Sequence, residues 1–197
     1  MSTQSIDTPD WSELPRPEDD GGARHLRGMA ITSIRLSATD GSDVDLSMLG
    51  GLVVVYAYPR TGRPNEPNPD GWELIPGARG CTPQSCAFRD HYAELRSLGV
   101  SNLFGLSTQD TAWQREVAER LHLPFPILSD ESLRLTTAMR FPTFITGGIT
   151  CLKRMTLVIR DGRIEQVFYP VFPPDQNASE VAAWLRNRNE SHLAGSN

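Results

Sequence analysis

Leu52-Val-Val-Val-Tyr-Ala-Tyr58 is an unbroken β-branched and aromatic run, stopped by Pro59. With no polar residue at alternate positions, it fits a strand covered on both faces, as in a parallel sheet, rather than one with a face in water. It marks the centre of the fold. Leu103-Phe-Gly-Leu-Ser107 reads as a second buried strand and Pro124-Phe-Pro-Ile-Leu128 as a third. Between them a helix is capped near Asp110 and turns Trp113, Val117 and Leu121 inward. This β-α-β alternation implies an α/β domain with parallel strands and right-handed crossovers.

Flanking segments add antiparallel pieces. Ile31 to Leu36 and Val44 to Leu49, joined by Thr39-Asp-Gly-Ser42, form an N-terminal β-hairpin at the sheet edge. Met155 to Ile159 and Ile164 to Tyr169 flank Arg160-Asp-Gly-Arg163, a tight Asp-Gly hairpin. Short helices are expected over Glu131 to Met139 and Glu180 to Arg186, with a loop through Gly147-Gly148. Phe141-Pro-Thr-Phe144 reads as an ordinary turn.

At 197 residues, 39% apolar and 22% charged, the chain suits one domain with a real core. Residues 1–28 are polar and Pro-containing and read as a disordered or loosely attached tail; residues 29–190 form the domain, and 191–197 a second tail. A net charge of -5 without a basic stripe excludes nucleic-acid and anionic-membrane surfaces as partners. No stretch approaches the roughly 18 to 20 apolar residues of a membrane span. The start lacks the basic and apolar pattern of an export signal, so a cytoplasmic location is expected, where thiols stay reduced.

Residues 60–80 are Pro- and Gly-rich and form a long loop, of the kind that is usually functional. Directly after it come Cys81 and Cys86, at the start of a helix N-capped by Thr82, with Pro83 at its first position. Phe88, Tyr92, Leu95 and Leu98 extend that helix to Gly99. Helix starts favour a thiolate over a thiol, because the first N–H groups are unpaired and the dipoles add there. In a regular helix, residues five apart lie about 7.5 Å apart along the axis and about 140° around it, beyond the roughly 7 Å Cα limit for a disulfide. Cys81 and Cys86 can bond only if this turn unwinds. Competing readings are two small buried hydrophobes, or a metal site with Cys151 and His91, whose spacing matches no zinc pattern.

Gly80-Cys-Thr-Pro-Gln-Ser-Cys-Ala-Phe-Arg-Asp90 resembles the active-site segment of the bacterioferritin-comigratory, or PrxQ-type, peroxiredoxins. The likeness covers roughly Ile31 to Leu185, including Leu128-Ser-Asp130 and Lys153-Arg-Met-Thr-Leu-Val-Ile-Arg-Asp-Gly-Arg-Ile-Glu-Gln-Val-Phe168. It implies a thioredoxin-like fold with a mixed central sheet flanked by helices. It also implies Cys81 as peroxidatic cysteine, Cys86 as resolving cysteine and Arg154 as the arginine that meets the thiolate. Pro59 matches the proline after the family's strand, so the chain carries a long insertion before Cys81. Ala78 stands where the family has a threonine, which leaves Thr61 or Thr82 to supply that hydroxyl. Pro76-Gly-Ala and Thr82-Pro83 resemble a second peroxiredoxin type, in which Cys86 would be peroxidatic; Cys81 is preferred.

Trp72, a large aromatic in a polar loop, either covers the thiol pocket, packs on a partner subunit or pins the loop locally. Pro59, Thr61 and Trp72 are thus the expected substrate-side residues. Arg79 and Arg89 flank the thiols but read as solvated or ion-paired. Cys151 is a core residue or an alternative resolving thiol. The implied activity is reduction of hydrogen peroxide or organic hydroperoxides through a sulfenic acid and an intramolecular disulfide, reset by a thioredoxin-like reductant, with no metal, haem or flavin, in a monomer or homodimer. The alternatives are a disulfide oxidoreductase, disfavoured by the absence of Cys-x-x-Cys, and a non-catalytic redox sensor.

Overall fold

The computed structural model describes residues 9–64 and 66–194, with side chains described through Ser191. Seven strands form one mixed sheet: β1 (Arg35–Ala38), β2 (Asp43–Asp45), β3 (Leu52–Ala57), β4 (Val100–Ser107), β5 (Ile127–Ser129), β8 (Met155–Arg160) and β9 (Arg163–Phe168). Their order is β2-β1-β5-β4-β3-β8-β9. The β3-β4 and β4-β5 pairs are parallel, and β1-β5, β3-β8 and β8-β9 antiparallel.

β3 lies at the centre, as its composition requires. Val53, Val55 and Ala57 point into one core with Phe104, Leu106 and Leu157; Leu52, Val54 and Tyr56 point into the other. The second core is roofed by α1 (Cys81–Asp90), α2 (Tyr92–Ser97), α3 (Thr111–Arg120) and α5 (Asn177–Ala194), through Phe88, Leu95, Val117, Val181 and Leu185. α4 (Arg134–Met139) contributes Leu135 and Met139 to the first. At 0% exposure on every residue from Val53 to Tyr58, the strand buries both faces and gains roughly 1.5 to 3 kcal/mol per large side chain.

Several expected elements sit where the sequence puts them. Asp110 caps α3 by accepting from the Trp113 N–H at 2.7 Å, and Asp161 and Gly162, both at positive φ, make the β8-β9 turn. The N-terminal hairpin forms at the sheet edge with shortened strands.

Others differ. The helix expected to be capped by Thr82 and to run to Leu98 starts two residues earlier, with Gly80 at φ +101° as its cap and Cys81 at its first position, and it breaks into α1 and α2 at His91. A Cβ at Gly80 would lie 2.6 Å from Pro174 and 2.8 Å from Trp11, so close packing there demands glycine. The loop through Gly147-Gly148 is the turn of a hairpin, β6 (Thr143–Thr146) with β7 (Ile149–Leu152), apart from the main sheet. The last helix runs well beyond both ends of its expected span, because Ala178, Val181, Ala182 and Leu185 all pack on β-sheet residues, and it crosses into the 191–197 tail. Residues 195–197 lie outside the described residues.

The front segment is the largest correction. Residues 1–8 lie outside the described residues, but residues 9–28 are not loosely attached. Ala23 and Leu26 enter the core, and the Gly28 and Ile31 N–H groups donate to Ile164 and Gly162, closing the free edge of β9. Trp11 Nε1 donates to Asp175 at 3.0 Å, and Asp20 pairs with Lys153. A few apolar residues within a polar stretch were enough to anchor it.

Candidate active site

The Gly80 turn places Cys81 at the first helical position, 4% exposed, where the helix start faces the carboxyl end of β3. Arg154, one residue ahead of β8 and 3% exposed, donates from Nη2 to Cys81 Sγ at 3.2 Å. The same nitrogen reaches the carbonyls of Gly77, Ala78 and Arg79 at 3.0 to 3.3 Å, so the loop before Cys81 wraps the guanidinium. Cys81 Sγ also lies 3.6 Å from the Ala78 carbonyl. A thiolate at this place would accept a charge-assisted bond from a group that stays protonated.

Cys81, Thr61, Thr82, Trp72, Arg60 and Ala78 line one cavity of about 340 Å³. Thr61 is 1% exposed, and its N–H and Oγ1 both donate to Gln109 Oε1, at 2.9 and 3.1 Å. Trp72, 3% exposed, lines the Cys81 cavity and packs with Ala78 and Cys151. Pro59 does not line this cavity; it borders a neighbouring one with Arg60, Trp113 and Cys151. Arg79 is paired with Glu73, and Arg89 with Asp90, as surface side chains.

Cys86 is buried, 6% exposed, on the regular part of α1 and packed among the helix-side core residues. Burial pushes its thiol above the ordinary value; the Arg89 charge opposes this, Asp90 adds to it and Arg120 opposes it again. Cys151, on β7 and 1% exposed, is pushed up to about 11 by burial, with the nearby Cys81 adding and Arg60 opposing. All three cysteines are free. Among the described residues no group of three or more His, Cys, Asp or Glu is placed to hold a metal, so Cys81, Cys86, Cys151 and His91 do not converge.

The sequence profile of the Redoxin family matches residues 26–185. The chain belongs to the redoxin family. The chloroplastic peroxiredoxin Q of Oryza sativa subsp. japonica is 31% identical over 163 residues, 82% of this chain and 67% of that protein. The Populus jackii protein of the same name is 30% identical over 84% of this chain and 70% of its own length. Among solved structures, the peroxidoxin BcpB of Mycobacterium tuberculosis superposes with a TM-score of 0.65 at 26% identity, over 82% of this chain and 97% of that one. A Xanthomonas campestris peroxiredoxin Q shares the fold, with a TM-score of 0.65 at 21% identity over 82% and 96%. The PrxQ likeness and the thioredoxin-like α/β fold read from the sequence both hold.

In this redoxin three supporting residues had no sequence signal. Gln84, one turn beyond Cys81, accepts from Arg154 Nη1 through Oε1 and donates from Nε2 to Asn177 Oδ1 at 3.0 Å. Thr156 donates to the same Asn177 oxygen at 2.6 Å, and Gln84, Thr156 and Asn177 are all 0% exposed. The network ties α1, β8 and α5 together behind the thiol. Gln84 at i+3 from Cys81 was readable as a neighbour on the helix, but nothing in its type announced the arginine.

Proposed function

We propose that this redoxin is a thiol peroxidase in which Cys81 is the peroxidatic cysteine. The observation that carries the reading is the Arg154 guanidinium 3.2 Å from Cys81 Sγ at a cavity that opens onto the same sulfur. Cys86, packed away from Arg154, offers no such arrangement, which favours Cys81 over the reverse register.

In the reaction, the Cys81 thiolate attacks the distal peroxide oxygen. The S–O bond forms as the O–O bond breaks, sulfur is oxidised by two electrons, and the leaving oxygen takes a proton to depart as water or an alcohol. Arg154 donates to the sulfur and to the negative charge that builds on the oxygens. Thr82, half-buried on the cavity wall, is the hydroxyl left to meet the peroxide in place of the one missing at Ala78, since Thr61 already donates its own to Gln109. Trp72 closes the cavity against the loop.

The resolving step is condensation of the Cys86 thiol with the Cys81 sulfenic acid, releasing water and forming the disulfide, which makes the protein an atypical two-cysteine enzyme. It requires the first turn of α1 to unwind, since the two thiols are five residues apart on a regular helix. A thioredoxin-like dithiol then reduces the disulfide. A thiol cycle of this kind fits a reducing compartment such as the cytoplasm; the plant relatives are named as chloroplastic. Among the described residues no helix is long and apolar enough to cross a membrane.

The test is stopped-flow peroxide consumption with mass spectrometry of the oxidised protein. Cys81→Ser is expected to abolish consumption, and Cys86→Ser to leave one fast turnover ending in a sulfenic acid on Cys81. A fast first turnover in Cys81→Ser assigns the role to Cys86. Slow oxidation of the unaltered protein makes it a sensor.

A further inference from the structure

The cavity that opens on Cys81 is far larger than hydrogen peroxide requires, at about 340 Å³, within the roughly 300 to 1,000 Å³ of small-molecule sites. Its charged wall is one-sided. Arg60 and Arg79 line it, Arg154 stands behind the sulfur, and among the described residues no Asp or Glu lines it, in a chain whose net charge is -5. Arg79 is neutralised by Glu73.

Arg60 is in no ion pair among the described residues, although the neighbouring cavity that it also borders carries Asp110 and Glu131. Its guanidinium lies 4.4 Å from the Trp113 ring centroid, its Nε is buried without an acceptor, and among the described residues it has no carboxylate partner. Stacking holds the planar fork in place without using its N–H donors. Arg63 lies 4.0 Å from the same Trp113 ring and, among the described residues, pairs only with Glu66, at 3.8 Å. A cation fixed in position, short of acceptors and bordering the cavity of a reactive sulfur is a seat for an anion.

The geometry points to Arg60 as the anchor of a substrate carboxylate, and so to organic hydroperoxides that bear a carboxylate as the class this cavity favours. The carboxylate accepts a two-pronged bond from Arg60 while the hydroperoxide group reaches Cys81. This rests on the peroxidase reading above and names its substrate class.

The experiment compares kcat/KM for cumene hydroperoxide and for the same compound bearing a para carboxylate. The charged compound is expected to be favoured at least about tenfold, as a charge-assisted pair predicts. Arg60→Gln brings the ratio to about one, and Arg60→Lys, which keeps the charge without the fork, falls between. A ratio at or below one in the unaltered protein, or an unchanged ratio in Arg60→Gln, overturns the proposal. In a second arm, calorimetry measures 4-isopropylbenzoate binding to Cys81→Ser with and without Arg60→Gln. Weakening by at least about tenfold supports the anchor, and equal binding overturns it. Because this arm involves no turnover, a protein inert to both hydroperoxides that still binds the benzoate through Arg60 sinks the peroxidase reading and leaves the anion seat standing.

Discussion

Gln84 holds Arg154 from behind: its Oε1 accepts from Nη1, while Nη2 of the same guanidinium addresses Cys81 Sγ. Replacing the amide by an isosteric hydrocarbon, Gln84→Leu, strips a fully buried charge-assisted bond and leaves Asn177 Oδ1 with one donor fewer. A stability loss of about 1 to 3 kcal/mol is expected. Iodoacetamide alkylation of Cys81 at neutral pH should slow about tenfold, since Arg154 is no longer aimed. Unchanged alkylation beside a lowered melting temperature would reduce Gln84 to a structural role.

Oxidation should open the start of α1. Hydrogen exchange at the amides of residues 81–90 is expected to accelerate on peroxide treatment of the unaltered protein and to stay slow in Cys86→Ser, where no disulfide can form. Equal protection in reduced and oxidised protein would rule out the Cys81–Cys86 bond.

Gly80→Ala tests the seat of Cys81. The substitution asks an L residue to hold φ +101° and puts a Cβ within 2.6 Å of Pro174 and 2.8 Å of Trp11. A loss of about 1 to 3 kcal/mol in denaturant unfolding is expected, together with slower Cys81 alkylation. A neutral outcome would mean the surrounding rings yield freely.

Alkaline stability carries the signature of the buried thiols. Cys151 is raised from 9.0 to about 11 in the folded protein, and Cys86 is also raised. Between those two values the unfolded chain has already released the Cys151 proton while the native state keeps it, so stability falls as pH rises through that window. Cys151 alone accounts for a loss of order 2 kcal/mol by the top of it. Urea midpoints measured from pH 8 to 10.5 should fall less steeply in Cys151→Ala; parallel slopes would refute the assignment.

The central strand was legible because burial on both faces leaves a sequence with no polar alternation, and Asp110 and Asp161-Gly162 announced their cap and turn through local chemistry. The helix start at Cys81 was legible from the capping residues Thr82 and Pro83, whereas Arg154 was singled out only through family likeness. The stretch through Gly147-Gly148 was read as a loop since two glycines resemble a break as much as a hairpin turn, and only the pairing of Thr143–Thr146 with Ile149–Leu152 distinguishes them. Residues 9–28 were misread because their anchoring rests on separated residues, Trp11, Ala23 and Leu26, whose partners lie far along the chain. Gln84, Asn177 and Arg60 belong to the same class: their meaning comes from neighbours that no local window contains.

The ring of Trp11 occupies the space a side chain at Gly80 would need. The segment that carries Trp11 therefore buttresses the turn that seats Cys81, although it lies far upstream in the chain. A chain shortened past Trp11 would lose that support, and a rate measured on it would report the loosened turn together with the chemistry.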